Sequence, residues 1–103
     1  MADQQLKGQL TDEQIADFKA KHGEVIEAKF EGSVGYFKRA DRQVMRMAMP
    51  FLNTDRIKYM EIIIENCWLA GDEKMKTDDD AFFALTDAVP DITAKKSAEI
   101  KKH

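Results

Sequence analysis

A chain of 103 residues has room for one hydrophobic core, so we expect residues 1–103 to form a single domain. Its formal net charge of −3, without a basic face, argues against a nucleic-acid partner, and no apolar run approaches the roughly 20 residues that cross a bilayer. The single cysteine excludes an internal disulfide and favours a cytoplasmic location.

The first predicted helix follows a polar N-terminus. Residues 1–9 have only isolated apolar positions, and we expect them to be flexible. Thr11 and Gln14 form a capping box, which begins a helix at this point. Gly23 ends it, because glycine readily takes the conformation that closes a helix.

A β-hairpin is predicted over residues 24–39, where the apolar period changes from 3.6 to 2. Two β-rich runs flank a turn at Glu31, Gly32 and Ser33. Gly35 inside the second run indicates a bulge or a close backbone approach. A lone hairpin is marginal in water, so it must pack on helices or pair with another chain.

The next predicted helix begins after Asp41, whose side chain can cap it. We expect its inner face to consist of Val44, Met47 and Ala48. Pro50 should end or kink this helix, because its ring cannot follow a helical turn without loss of a hydrogen bond.

The most apolar helix is predicted over residues 54–71, with Asn53 or Thr54 as its cap and Gly71 at its end. Its apolar stripe consists of Ile57, Met60, Ile64 and Trp68, and further apolar residues widen it. A helix with so wide an apolar surface must be covered on two sides, by its own domain or by a partner.

A last packed helix should begin at Thr77, with Asp80 completing the capping signal, and should end at Pro90. Residues 91–103 are predicted to form an exposed or frayed helix. The predicted fold class is therefore α+β, dominated by helices: an N-terminal helix, one β-hairpin, then three or four packed helices. The side chains expected to contribute most to the core are Trp68, Ile64, Phe30, Phe37, Phe82 and Phe83.

No arrangement of side chains in the sequence indicates catalysis or metal binding. Cys67 lies in the apolar helix, where a free cysteine behaves as a small buried hydrophobe. An acidic cluster around residues 72–80 does not match a calcium-binding loop, and helix capping accounts for Asp78 and its neighbours. We therefore expect no catalytic residue, no metal and no cofactor.

A protein-docking surface is predicted from the methionines, five of which follow the hairpin. Thioether side chains fill gaps in a core, and they also suit surfaces that accept different apolar partners. Met45 and Met49 lie one turn apart, close to Phe51 in the sequence. Met45, Met49, Phe51 and Tyr36 form the predicted protein-binding set, whereas plain core packing is the alternative considered for Met47 and Met60.

Two stretches of the sequence carry a resemblance to a known family. They are Tyr36-Phe37-Lys38-Arg39 with Asp41-Arg42, and Asn66-Cys67-Trp68-Leu69 with Gly71-Asp72-Glu73. From about Glu24 to Leu85, the order of these features resembles tail assembly chaperones, small proteins encoded among the tail genes of phages and prophages of Bacteroides-like bacteria. Ala40 stands where that family usually has proline. The resemblance implies a mostly helical cytoplasmic protein that coats the tape-measure protein before the tail tube forms.

Three functions remain open at this point. The first is a non-enzymatic assembly chaperone or adaptor that binds a helical, apolar client such as the tape-measure protein and also associates with itself. The second is a structural tail subunit whose hairpin pairs with a neighbouring copy. The third is a small enzyme or metal-binding regulator that uses Cys67 or the acidic residues near Asp78.

Overall fold

The computed structural model describes residues 6–103 and has a helix-dominated α+β fold, which confirms the predicted fold class. Its helices are α1 (Asp12–His22), α2 (Arg42–Ala48), α3 (Arg56–Cys67), α4 (Lys74–Thr77), α5 (Asp79–Leu85) and α6 (Val89–Ile92). Its strands are β1 (Val25–Phe30), β2 (Ser33–Lys38) and β3 (Trp68–Gly71), which form one antiparallel sheet in the order β1-β2-β3. Short 3-10 turns at Met49–Phe51 and Thr86–Ala88 follow α2 and α5.

Side-chain caps begin the first two helices where the sequence predicts them. The hydroxyl of Thr11 accepts a hydrogen bond from the backbone N–H of Gln14 (3.1 Å), which in turn completes a capping box. Asp41 Oδ1 accepts the backbone N–H of Val44 at 2.9 Å. The N–H of Gly23 donates to Lys19 and closes α1. Local hydrogen bonds thus set these helix boundaries.

Two later caps are each displaced by a residue or two from the prediction. Asp55, not Asn53 or Thr54, caps α3, because its carboxylate accepts a backbone N–H three residues further on (3.1 Å). Asp78, not Thr77, caps α5 through the equivalent bond of 2.9 Å. A charged acceptor at the preferred position replaces the neighbouring hydroxyl or amide in both cases.

The predicted hairpin is present, with β1 and β2 paired from Val25 opposite Lys38 to Phe30 opposite Ser33. Glu31 and Gly32 form the turn, and both have positive φ angles (47° and 81°). Two positive φ angles in a two-residue turn match the right-handed twist of the flanking strands.

The prediction of one helix up to Gly71 is wrong, because α3 ends at Cys67 and the next four residues form β3. The backbone of Trp68 is already extended, and β3 pairs with the edge of β2 that the hairpin leaves free. A ladder of hydrogen bonds with β2 thus replaces the last helical turn. Gly35 lies opposite Gly71 in this pairing, so the predicted close backbone approach is confirmed.

The flexible N-terminus was predicted over residues 1–9, of which residues 1–5 lie outside the described residues. Lys7 is held against the sheet. Its N–H donates to the carbonyl of Gly32 (2.9 Å), and its carbonyl accepts the N–H of Val34 (3.0 Å). The structure therefore shows Lys7 hydrogen-bonded to the sheet, which conflicts with the predicted flexibility of this residue.

The core lies between the sheet and helices α2 to α6. Among its fully buried side chains are Phe37, Ile63, Ile64, Cys67, Met75, Leu85 and Ile92. Phe30, Trp68 and Phe82 are partly buried against this core, but Phe83 is 52% exposed, so its predicted core role is wrong. Neighbouring residues on a helix point in different directions, and Phe82 takes the inner one. On α2, the predicted inner face holds for Val44 and Ala48 but not for Met47, which is 39% exposed.

The C-terminal region differs from its prediction. Pro90 does not end a helix but lies in the first turn of α6. A backbone N–H at this position would have no acceptor within the helix, so proline loses no hydrogen bond there. Helix α6 stops at Ile92, so the predicted helix over residues 91–103 is largely absent. Residues 94–103 are exposed and have no regular secondary structure, because Ile100 is their only large apolar residue.

Candidate protein-docking groove

A groove runs between α3 and the segment formed by α4 and α5. We call it the α3–α5 groove, and it is lined by Ile57, Glu61, Ile64, Glu65, Lys76, Asp79, Phe82 and Phe83. Its volume of about 180 Å³ is smaller than the roughly 300–1,000 Å³ of typical small-molecule pockets. The groove therefore suits one or two side chains of a protein partner better than a whole small molecule.

The groove exposes two large apolar side chains, one from each helix. Ile57 on α3 is 48% exposed and Phe83 on α5 is 52% exposed, whereas Ile64 between them is buried. The ring of Phe83 meets that of Phe82 edge to face, with centroids 5.5 Å apart. Phe82 packs against the core and contacts one side of the Phe83 ring, while the other side of that ring stays in contact with water.

Acidic side chains surround this apolar surface. Glu61 and Glu65 follow Ile57 by four and eight residues, which places all three on one face of α3. Asp79 adds a third carboxylate from the first turn of α5, whereas Lys76 is the one basic residue of the lining. Three negative charges and one positive charge leave the lining with a net charge of −2.

Lys76 is already engaged within the protein. Its Nζ lies 2.8 Å from Glu73 Oε1 and 5.0 Å from the ring centroid of Trp68. The bond from Lys76 is the main reason that the pKa of Glu73 lies below its ordinary value. The Trp68 N–H also lowers the pKa of Glu73, by a smaller amount. The distance is too long or the angle too poor for a hydrogen bond, so the buried Nε1 has no hydrogen-bond partner among the described residues. Glu73 thus offsets the charge of Lys76, and the groove stays negative.

The predicted protein-binding residues lie outside this groove. Met49 is 48% exposed, and Met45 and Phe51 are partly buried, all on α2 or the 3-10 turn after it. Tyr36 is only 1% exposed, and its hydroxyl oxygen accepts the backbone N–H of Leu10 at 3.2 Å. The prediction that Tyr36 belongs to a binding surface conflicts with this burial, because Tyr36 lies on the face of β2 opposite to Phe37 and is covered there by the segment around Leu10.

Sequence reasoning missed Ile57 and Phe83 as surface residues. The apolar period places Ile57 in the stripe of the long helix, and the sequence predicts Phe83 in the core. The signal that could have found Ile57 is the excess apolar width of that helix, which requires a second cover; Phe83 lies on α5 and has no such signal. The structure covers Ile64 but leaves Ile57 half exposed at the start of α3.

The thiol of Cys67 is fully buried, and burial raises its pKa from 9.0 to about 11. Lys38 partly opposes this shift, and Asp41 adds to it. A thiol with such a pKa stays protonated near neutral pH, whereas nucleophilic cysteines act as thiolates. Cys67 is therefore a packing residue.

The acidic residues around α4 have local structural roles. Asp78 caps α5, and Asp72 Oδ2 accepts the Ser33 hydroxyl at 2.6 Å. This hydrogen bond, followed by one from the backbone of Lys74, lowers the pKa of the Asp72 carboxyl. Within residues 6–103, no three His, Cys, Asp or Glu side chains are grouped closely enough to hold a metal ion.

Comparisons of the chain with protein-family models, with curated proteins and with solved structures found no match. In the part of the chain that the structure describes, no helix is both long enough and apolar enough to cross a bilayer. The geometry and charge of the α3–α5 groove are therefore the features that indicate a function.

Proposed function

We propose that this protein is a non-enzymatic adaptor or assembly chaperone that binds an amphipathic helix of a partner protein in the α3–α5 groove. The observation that carries the proposal is the exposure of Ile57 and Phe83 at a groove with a net negative lining. A helix with apolar anchors and flanking lysines or arginines complements both properties.

The expected affinity is modest. Complete burial of one large apolar side chain contributes roughly 1.5–3 kcal/mol, so covering the exposed halves of Ile57 and Phe83 contributes about 1.5–3 kcal/mol together. Each exposed ion pair at the rim adds about 0.2–1 kcal/mol. Ordering the partner subtracts from this sum. Reversible binding of this kind suits a chaperone, which must release its client.

The biological setting of the proposal comes from the resemblance to tail assembly chaperones. It is supported by the residues of β2 and the loop after it, and by the segment around β3. On this basis we propose a role in phage or prophage tail assembly in the bacterial cytoplasm, with the tape-measure protein as the helical client.

The test combines co-expression with a binding assay. Co-expression should increase the soluble yield of tape-measure segments, and an unchanged yield would contradict the tail-assembly role. A labelled basic amphipathic peptide should bind the purified protein, with weaker binding at high salt, because salt screens exposed charges. Phe83→Asp should weaken this binding by roughly three- to tenfold, because it removes about half of the apolar contribution.

Met49→Asp is the matched control, because Met49 and Phe83 are exposed to almost the same extent (48% and 52%). It should leave peptide binding unchanged if the α3–α5 groove is the site. If Met49→Asp abolishes binding and Phe83→Asp does not, the partner binds on α2 and the assignment to the groove is wrong.

One observation supports a structural tail subunit as a second candidate. Strand β1 is at the edge of the sheet, and within residues 6–103 only β2 pairs with it. Against this candidate, the exposed Glu27 and Lys29 of β1 form an ion pair of 3.4 Å, and charges of this kind usually protect an edge strand from pairing. Stable rings or tubes in solution that persist in the Phe83→Asp variant would favour the structural subunit.

A further inference from the structure

We propose that the C-terminal segment, defined here as residues 95–103, docks in the α3–α5 groove of a second copy of the chain. The protein would then associate head to tail, and its own tail would compete with the partner helix for the groove. This inference rests on the proposed function, because it concerns regulation of the same groove.

The C-terminal segment has the composition of a ligand for an acidic, apolar groove. All its residues are exposed, and Ile100, at 85%, has the highest exposure among the large hydrophobic residues that the structure describes. Its four lysines and one glutamate give its side chains a net charge of +3, with His103 taken as neutral. The lysines are Lys95, Lys96, Lys101 and Lys102. Burial of a large apolar side chain that is flanked by basic residues is favourable where the surface that buries it is acidic, because the flanking charges are then attracted to that surface.

The α3–α5 groove complements this segment in size and charge. The groove has a volume of about 180 Å³ and is lined by Ile57 and Phe83, which are both partly exposed. A groove of this size suits one branched aliphatic side chain such as that of Ile100. Its lining charge of −2, from three carboxylates and one ammonium, is opposite in sign to the +3 of the segment. Lys76 does not repel the lysines strongly, because Glu73 pairs with it.

The position of the segment within one molecule favours docking between copies. None of residues 95–103 lines the groove of its own chain. Lys95 and Lys96 instead border a shallow depression beside Arg39 and Arg42, near the end of β2. The hydrogen bond from Ala40 N–H to the carbonyl of Ile92 (2.8 Å) fixes the start of the tail on this side.

The two complementary surfaces are therefore formed by different residues of the same chain. When two copies pair such surfaces, the contact is heterologous, with the tail of one copy in the groove of the next. A contact of this type continues from copy to copy and yields chains or closed rings. Self-association should accordingly increase as the protein concentration rises.

A charge-swap experiment with the full chain tests the proposal by sedimentation velocity over a range of protein concentrations. The groove variant is Glu61→Lys with Glu65→Lys, and the tail variant is Lys101→Glu with Lys102→Glu. Each variant alone should associate roughly tenfold more weakly than the natural chain or not at all, because like charges then meet. An equimolar mixture should recover association, since each tail again finds a groove of opposite charge.

Two further variants control for general effects of charge and folding. Glu13→Lys with Asp17→Lys makes the same charge change on α1, outside the groove, and should leave association unchanged. Ile100→Asp changes a side chain that is 85% exposed, so it should weaken association without lowering the melting temperature. Equal weakening by the α1 variant, or no weakening by Ile100→Asp, would overturn the proposal.

Binding of the basic amphipathic peptide separates this inference from the proposed function. Ile100→Asp should bind the peptide at least as tightly as the natural chain does, because the competing tail is lost. A natural chain that stays monomeric at every concentration but binds the peptide refutes the tail contact alone. A chain that associates through its tail but binds no peptide refutes the proposed partner instead.

Discussion

Replacement of Gly35 by alanine tests the close contact between Gly35 of β2 and the Trp68 ring of β3. A Cβ atom at this position would lie 2.7 Å from Cζ3 and 3.1 Å from Cη2 of the Trp68 ring. The φ angle of Gly35 is not among the positive ones, so alanine adds no backbone strain. The effect of the substitution should therefore come from the displaced ring.

The expected cost follows from two opposing contributions. Overpacking of a tight site typically costs about 1–3 kcal/mol. Alanine also restricts the unfolded chain, which returns about 0.4–1 kcal/mol. The free energy of unfolding of Gly35→Ala should thus fall by roughly 0.5–2 kcal/mol. Trp68 can shift only slightly, because its ring contacts Phe37 edge to face at 5.4 Å and lies beneath Lys76.

A double-mutant cycle with Trp68→Leu isolates this contact. Leucine lacks the ring atoms that a Cβ at Gly35 would meet, so Gly35→Ala should be neutral or slightly stabilising in that background. Urea unfolding is best followed by circular dichroism, since Trp68 is the only tryptophan of the chain. If the two substitutions add to within about 0.5 kcal/mol, the proposed contact does not exist.

Three further predictions concern stability. Asp41→Ala should lower the free energy of unfolding by about 0.5–2 kcal/mol. Asp41→Asn keeps the oxygen that caps α2 and should lower it much less. Equal losses in the two variants would show that the charge of Asp41 matters more than its capping hydrogen bond. In thermal and urea unfolding, Leu85→Ala should cost about 2–5 kcal/mol and Phe83→Ala under about 1 kcal/mol, because only Leu85 is buried. The reverse order would place Phe83 in the core.

The third of these predictions concerns pH. The pKa of Cys67 is raised to about 11 in the folded state from 9.0, so the unfolded chain loses its proton first as pH rises. Its contribution to stability is complete below pH 9 and falls by about 2–3 kcal/mol towards pH 11. In Cys67→Ala, the free energy of unfolding should lack this part of the decline between measurements below pH 9 and near pH 11. An identical decline in the natural chain and in the variant would refute the prediction.

Features that depend on local hydrogen bonds were predictable from the amino-acid sequence. Thr11 and Asp41 cap their helices as predicted, because each cap needs only a side-chain acceptor and a backbone N–H three residues away. The hairpin around Glu31 and Gly32 was predictable for the same reason, since alternation and turn residues lie within a few positions of one another. The helix-dominated α+β class follows from these elements.

Which apolar side chains are covered depends on how distant elements pack together. Trp68 continues a helical stripe in the sequence, yet the free edge of β2 offers backbone partners that draw it into β3. Phe83 looks like a core residue and is exposed, whereas Tyr36 looks like a surface residue and is buried. Apolar residues show that a cover is needed, but the packing of distant elements decides which of them receive it. The α3–α5 groove arises in this way, where the fold leaves Ile57 uncovered.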